Sequence, residues 1–557
     1  MSARATTPPL IQAPTAKEKK YDRQLRLWAA NGQQALEDSH VLLVIPDRPE
    51  GGSCSSVAGI ETLKNLILPG IGQFTIADPA KVTEADLGVS FFLGAESLGK
   101  SRAEEAKCLL EELNPDVKGH ALSKVVSGSS PCFRAEPANQ TYQSLSDLLN
   151  ADPQMITDYS FIILCAPLLG SHYTNLCGYA EMYNIPVIQI QSSGFFSSFA
   201  TQLPITFSIV DTHPDPDTIQ DLRLLSPWPE LSDQVKALGD IDALNDHDHG
   251  HIPYVLILLH HLDKWKAEHD NEYPNSFKEK TAFREQVRAA ARTNNSEGGE
   301  ENFDEAAASI LKTIAPFTLG SSVRDMFDHM FCHRQEVVHG SANFWLIAYA
   351  VKCFFESDAH KGTLPLPGGI PDMKATSKDY VKLQNVYKAK ARKDIAEVTA
   401  TVRTLEKELE RPFIIPDAEI EAFCKHAGHV KVLDGQSLPQ RRMGYKNNDI
   451  WKEIRKQLEI NPDDNMLPIM LAFEQNQIPQ LKKLIADLVS DGDKYSVLKK
   501  VLAEVDRCAG AELHNISSLT AGMVAQEAIK IITQQYVPVD NVCVFDGIQG
   551  KTSVFKL

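Results

Sequence analysis

The sequence holds no Cys-x-x-C pair, no cationic excess and no apolar run near the roughly 20 residues that span a bilayer. Each absence removes a class of function. Ten cysteines without that spacing lose the strongest zinc signature and fit reduced thiols rather than a disulfide scaffold. Lys and Arg total 56 against 73 Asp and Glu, a net charge of −17. That sign argues against nucleic acid as a main partner, because duplex binding rests on cationic neutralisation of phosphates. The most apolar stretches, Tyr254–Leu259 and Phe344–Val351, are short and end in His or Lys, so no membrane partner is expected. The first sixteen residues lack an apolar h-region, which argues against a secretory signal. What is present is ordinary globular composition in 557 residues, enough for roughly three or four domain-sized units. A soluble, intracellular, multidomain chain is expected.

Residues 1–16 are rich in Pro, Thr and Ala and read as a disordered tail. From Lys17 to Asp38 the pattern is helical, and Val41–Ile45 is a continuous apolar run of buried-strand length. A loop, a helix over Ala58–Leu68 and a second strand at Phe74–Ala77 follow. Further apolar strands at Phe161–Cys165 and Ile185–Ile190 alternate with helices. Strands apolar on both faces, alternating with helices, imply a doubly wound parallel α/β sheet over residues 17–210. Over residues 211–502 long helical patterns dominate, among them Ile252–His269, Ala342–Glu356 and Ser377–Glu410. Residues 503–557 return to α/β character, with a helix at Leu519–Gln535 and strands at Asn541–Phe545 and Thr552–Phe555. The helical region therefore reads as an insertion into the first domain.

A strand, a Gly-containing loop, a helix and a second strand ending in Asp78 outline a nucleotide-binding βαβ unit, with Asp78 placed for ribose hydroxyls. The loop Pro46–Ser56 is wrong for phosphates. It has no G-x-G-x-x-G, its glycines come late, and Asp47 and Glu50 repel an anion at the helix N-terminus.

Particular residues carry a resemblance. Tyr21-Asp22-Arg23-Gln24-Leu25-Arg26-Leu27-Trp28, and Glu61–Leu66 with Pro69-Gly70-Ile71-Gly72, resemble the opening of ubiquitin-like-modifier activating enzymes, whose fold is a ThiF/MoeB-like, Rossmann-type adenylation domain. Asp221–Leu224, Ile370–Met373, Tyr380–Tyr387, Ala511–His514 and Glu527–Thr533 are similar to one branch, the regulatory subunits of neddylation-activating enzymes.

In catalytic members of that superfamily, adenylation uses a Gly-rich loop, an arginine after the second strand and a magnesium-binding aspartate after a later strand. The resemblance aligns Val89 and Ser90 with that arginine and its neighbour, and Pro167 with the aspartate. Asp78 and Arg102 remain as remnants of the nucleotide site. The resemblance thus implies a chain with no catalytic residue in cis, no bound cofactor and no metal. ATP and Mg belong to a catalytic partner in a heterodimer. A Nedd/Rub-type ubiquitin-like modifier and its conjugating enzyme are the further candidate partners, and cytoplasm and nucleus the compartments.

The only Pro-Cys pair, Pro131-Cys132, is followed by Phe133 where catalytic subunits carry Thr, while Cys165 and Cys353 sit in apolar elements, the usual setting of inert thiols. His247, His249 and His251 resemble a zinc set, yet Pro253 and a helical run follow, which favours a solvated or helix-capping cluster. The basic run Lys388–Lys393 reads as a solvated helix face. Arg23 is the candidate for chemistry in trans, since the matching arginine of superfamily dimers reaches the partner's ATP. A structural ion pair with Asp22 or Glu37 is the competing assignment. A dinucleotide-dependent oxidoreductase on the same sheet is the alternative for the whole chain.

Overall fold

Phe161–Cys165 is buried along its whole length, and so is β1 (His40–Val44) apart from its first residue. Only a central strand covered on both faces requires that. The computed structural model places both at the middle of an eight-stranded sheet. It describes residues 13–556 apart from 47–54, 123–148, 150–151, 167–169, 216–220, 295–297, 361, 441–447, 462–463, 465, 474–480, 484–485 and 487–495. Within the expected 1–16 tail, residues 1–12 lie outside the described ones, and Thr15 forms a capping box for helix α1 (Ala16–Lys20).

The remaining strands are β2 (Gln73–Ala77), β3 (Lys118–Leu122), β4 (Phe161–Cys165), β5 (Val187–Ser193), β6 (Phe196–Gln202), β7 (Thr206–Val210), β8 (Val430–Asp434), β9 (Val542–Asp546) and β10 (Lys551–Phe555). The sheet order is β10-β9-β6-β5-β4-β1-β2-β3, and β7 pairs with β8 separately. Strands β3, β2, β1, β4 and β5 are parallel, while β6, β9 and β10 extend the sheet antiparallel. Connections run outward in opposite directions from β1 and β4, so the crevice at their C-terminal ends is the topological switch point where such sheets take ligands.

The predicted first helix is interrupted twice. Chain direction breaks at Tyr21, and α2 (Asp22–Glu37) kinks at Trp28 and Ala29, the latter with φ 54°. The carbonyls that the kink frees find partners from the C-terminal segment. Gln535 donates to the Trp28 carbonyl at 3.0 Å and Tyr536 to that of Leu27 at 3.3 Å. Helix α3 (Ser56–Ile67) packs on the sheet beside helix His514–Thr533, which itself lies against β5 and β6. Gly59 permits this approach, because a Cβ there would lie 2.5 Å from Cys165 Sγ.

The chain forms two compact units, one of residues 1–207 and 433–557, the other Ser208–Val432. The insertion therefore ends at Val432, where the sequence reading had run it to 502. Helix Met466–Phe473 is buried throughout. It shares one core with Leu438, Ile454, Leu458, Leu502 and the sheet residues Leu42, Ile162 and Leu164. Helical periodicity reports that a face is buried, not which core receives it.

In the second unit, helix Ser377–Glu408 has 32 residues, about 48 Å of rise, and serves two cores. Leu383 and Tyr387 pack with Leu222, Leu224, Ile370 and Met373, whereas Val398 and Val402 pack with Trp345, Val351 and Phe423. Three segments that carried the resemblance thus meet in one core, where the Tyr387 hydroxyl donates to the Leu222 carbonyl at 2.7 Å and its ring meets Trp228 edge-on.

Candidate functional site

The switch-point crevice is where a nucleotide would sit, and its two expected remnants face each other. Asp78 follows the last residue of β2, and Arg102 opens helix α5 (Arg102–Glu111). Both are buried. Arg102 Nε lies 2.5 Å from Asp78 Oδ2, Nη2 3.1 Å from Asp78 Oδ1, and Nη1 2.9 Å from Oδ1 of Asp86. Asp86 belongs to α4 (Glu84–Leu87), where its other oxygen accepts from the Thr83 amide and hydroxyl as a capping box. Asp78 also accepts from the Ala80 amide at 2.9 Å. The guanidinium expected to read a phosphate is engaged by two carboxylates, and the acid expected to read a ribose is engaged by the guanidinium.

The anion end of α3 is occupied as well. Its N-cap, Ser55, makes no side-chain cap and instead accepts from the Ser192 amide at 2.9 Å. The free amides of Val57 and Ala58 donate, each at 3.0 Å, to the two carboxylate oxygens of Glu512. Ser517 Oγ adds a third donor at 2.8 Å. Burial outweighs these donors and the nearby Arg102 and pushes Glu512 up to about 7. Sequence reasoning missed Glu512. The available signal was an acid two residues ahead of a long Ala- and Ile-rich helix, inside the quoted segment Ala511–His514.

Val89 and Ser90 follow α4. The Val89 carbonyl faces His514 Nδ1 at 3.0 Å, and Phe91 stacks on the His514 ring with centroids 3.5 Å apart. Neither residue can supply the cation that the resemblance calls for. Pro167 and most of the loop Pro46–Ser56 lie outside the described residues. Asp78 and Asp86 together hold the Arg102 guanidinium and Glu512 lies across the α3 amides, an arrangement that disfavours a polyphosphate.

Apart from the exposed Cys108, the described thiols lie in settings that suppress a nucleophile. Burial pushes Cys332 and Cys424 up to about 12 and Cys543 up to about 11, and it raises Cys353 and Cys508 as well. Cys165 is buried in β4, and Cys132 lies outside the described residues. Of the three candidate histidines, on and just after the helical turn Asp246–His249, His247 and His251 stay together with ring centroids 4.4 Å apart and only His249 parts from them. His249 turns inward to Glu300 Oε1 at 2.8 Å and stacks on Phe303, while His251 Nδ1 meets the His247 carbonyl at 2.7 Å. Among the described residues no group of three His, Cys, Asp or Glu is placed to hold a metal ion. In the basic run, Lys393 pairs with Glu230 at 2.5 Å and Lys390 with the buried Asp394 one turn on, so the face is only partly solvated.

Arg23 lies in the first turn of α2 and is exposed. Both partners of the competing assignment are taken, Asp22 by Arg26 at 3.0 Å and Glu37 by Lys17 at 2.6 Å. Among the described residues Arg23 makes no hydrogen bond or ion pair.

The model of the ThiF family matches residues 21–557. The NEDD8-activating enzyme E1 regulatory subunit of Xenopus laevis is 33% identical, the match covering 98% of this chain and all of that protein. The protein of the same name from Danio rerio is also 33% identical, over 98% of this chain and 99% of its own length. The Arabidopsis thaliana regulatory subunit AXL is 29% identical over 97% and 99% respectively. No described helix is long and apolar enough to cross a membrane.

Proposed function

The chain belongs to the ThiF family and, within it, to the NEDD8-activating enzyme E1 regulatory subunits, and from that premise we propose how it serves a catalytic partner. It forms a heterodimer with the catalytic subunit. In that dimer it binds no ATP or Mg itself, and it supports the partner, which adenylates the C-terminus of a Nedd/Rub-type modifier and then holds the modifier as a cysteine thioester. Arg23 reaches the partner's ATP. The unit Ser208–Val432 is an interaction module for the modifier and the conjugating enzyme, working in cytoplasm and nucleus.

One observation carries this reading. Arg102 is held by Asp78 and Asp86, so among the described residues the crevice offers phosphates no uncommitted cation, while Arg23 stands exposed with no hydrogen-bond or ion-pair partner there. The oxidoreductase alternative fails on the same residues, because the ribose acid is buried in an ion pair. The test is to copurify the catalytic subunit with the tagged chain and to follow thioester formation with candidate modifiers. A stoichiometric pair whose thioester yield depends on this chain is the expected result. ATP–pyrophosphate exchange by the isolated chain would overturn it.

A further inference from the structure

The segment Ala511–His514 enters the degenerate crevice from the far end of the sequence and touches both of its sides. Its backbone is anchored first. The Gly194 amide donates to the Ala511 carbonyl at 2.8 Å, and the Gly510 amide to Ser193 Oγ at 3.1 Å. Glu512 then lies across the Val57 and Ala58 amides, with Ser517 behind it. Two residues later, His514 meets the Val89 carbonyl and stacks under Phe91, holding the segment in which the expected arginine is missing. Both halves of a lost nucleotide site, the anion end of α3 and the loop beyond α4, are thus tied to one tetrapeptide.

We propose that Ala511–His514 is an internal plug, in which the Glu512 carboxylate is the resident anion of the α3 N-terminus and His514 fastens the Val89 loop. The inference deepens the reading that this half takes up no nucleotide and rests on it. A helix N-terminus carries about half a positive charge and up to four unsatisfied amides. In an active nucleotide domain a phosphate answers both. Here Ser55 gives no cap, and a carboxylate supplied in cis takes that place with two parallel N–H···O bonds. Because it is covalently part of the chain, it needs no ligand concentration to stay bound, and an external polyphosphate meets amides already satisfied and a negative lining. The plug closes the pocket and also fastens the C-terminal segment to the first helix of the sheet.

The experiment compares the wild-type full chain with Glu512→Ala in thermal melts, using formate and inorganic phosphate as probes against chloride at equal ionic strength. The wild type reports the general salt effect of each anion, and the variant is read against it. The variant should melt lower by roughly 5 °C in chloride and recover about half of that in formate or phosphate, as an external anion enters the vacated seat. If Glu512→Ala does not fold in chloride, its refolding yield in formate against chloride reads the same seat. An equal deficit of the variant against wild type in all three anions, or a melt indistinguishable from wild type, overturns the plug. A second variant, His514→Ala, should accelerate amide exchange at Val89–Phe92 roughly tenfold, and unchanged exchange also counts against it. Titration of Mg·ATP into the wild type separates the two ideas. Saturable binding there overturns the nucleotide-free reading, whereas absent binding with no anion rescue overturns the plug alone.

Discussion

Arg102 holds Asp78 by one edge of its guanidinium, Nε to Oδ2 at 2.5 Å and Nη2 to Oδ1 at 3.1 Å, with both side chains out of water. A charge buried in this way is a structural commitment. Removing the cation leaves Asp78 and Asp86 uncompensated in a low-dielectric site.

Arg102→Ala should therefore lower stability by about 3–5 kcal/mol, the range for breaking a buried pair from one side. Arg102→Lys should recover only part, because an ammonium cannot present two edges to two carboxylates. Urea denaturation of the three proteins measures this. A loss under about 1 kcal/mol for the alanine variant would mean that the guanidinium is free for another ligand.

Acidity should act on the second unit through His261. It is 3% exposed, and neither ring nitrogen has a hydrogen-bond partner among the described residues. Burial, with help from His260, Lys264 and His249, holds it down at about 4, against a small opposing pull from Asp242. The unfolded chain titrates near 6.5, so between these values the unfolded state binds more protons. Stability from this group is complete above about pH 6.5 and is lost as pH falls toward 4, by about 2 kcal/mol at pH 5. His261→Leu should flatten that part of the pH–stability curve measured by denaturant titration. An unchanged slope would show that His261 stays neutral for another reason or contributes nothing.

Thiol reactivity gives a test of chemical silence. Cys332, Cys424 and Cys543 are buried with raised pKa values, whereas Cys108 is exposed. Brief alkylation of the native chain should label Cys108 ahead of those three by at least tenfold. Mass spectrometry of peptides decides it. Rapid labelling of Cys332 or Cys424 would reveal an accessible thiol that the fold does not provide.

The central sheet was legible because β1, β2 and β4 are apolar on both faces, a signal that needs no partner to be read. Strand β3, Lys-Gly-His-Ala-Leu, is an edge strand with only Gly119 buried, so its pattern looks like a loop. Strand β6 carries Ser and Thr in its interior, Ser197 bonding Thr520, which hides it among turn residues. The two remnants Asp78 and Arg102 were found by position, but their mutual capture was not, because nothing local in the sequence dictates a bond across 24 residues. Glu512 reaches an amide 454 residues away, and no window along the chain contains both.

The insertion should be separable from the sheet. The Gly435 amide donates to the Ile205 carbonyl at 3.1 Å, so the strands on either side of Ser208–Val432 are neighbours in the first unit. Replacing Ser208–Val432 with a short Gly-rich link should leave the first unit folded and able to pair, while thioester formation by the dimer falls to background. Circular dichroism, copurification and a thioester gel test the three parts. An undiminished yield would make the second unit a spacer.

Arg23 is the residue of this chain expected to act in chemistry, and it would do so outside its own crevice. Three facts support that role. Its side chain is exposed, the carboxylates that would fix it structurally are held by Arg26 and Lys17, and the described crevice arginine, Arg102, is engaged by two carboxylates. Charge rearranges on phosphates during adenylation, and a guanidinium delivered from a helix start stabilises it without solvent reorganisation. Supply in trans also makes adenylation depend on pairing, which gives a reason to keep a subunit whose own site is closed. Arg23→Ala should leave the dimer intact and slow adenylate formation by roughly ten- to a thousand-fold, the range for losing a charge-stabilising donor. Arg23→Lys should rescue in part, since an ammonium keeps the charge but not the planar fork. Because Arg23 is exposed and makes no hydrogen bond or ion pair with the described residues of its own chain, the melting temperature of the isolated subunit should not move with either variant. An alanine variant that pairs normally and forms adenylate at the wild-type rate would end the trans-acting role, and one that melts lower by several degrees would return Arg23 to structure.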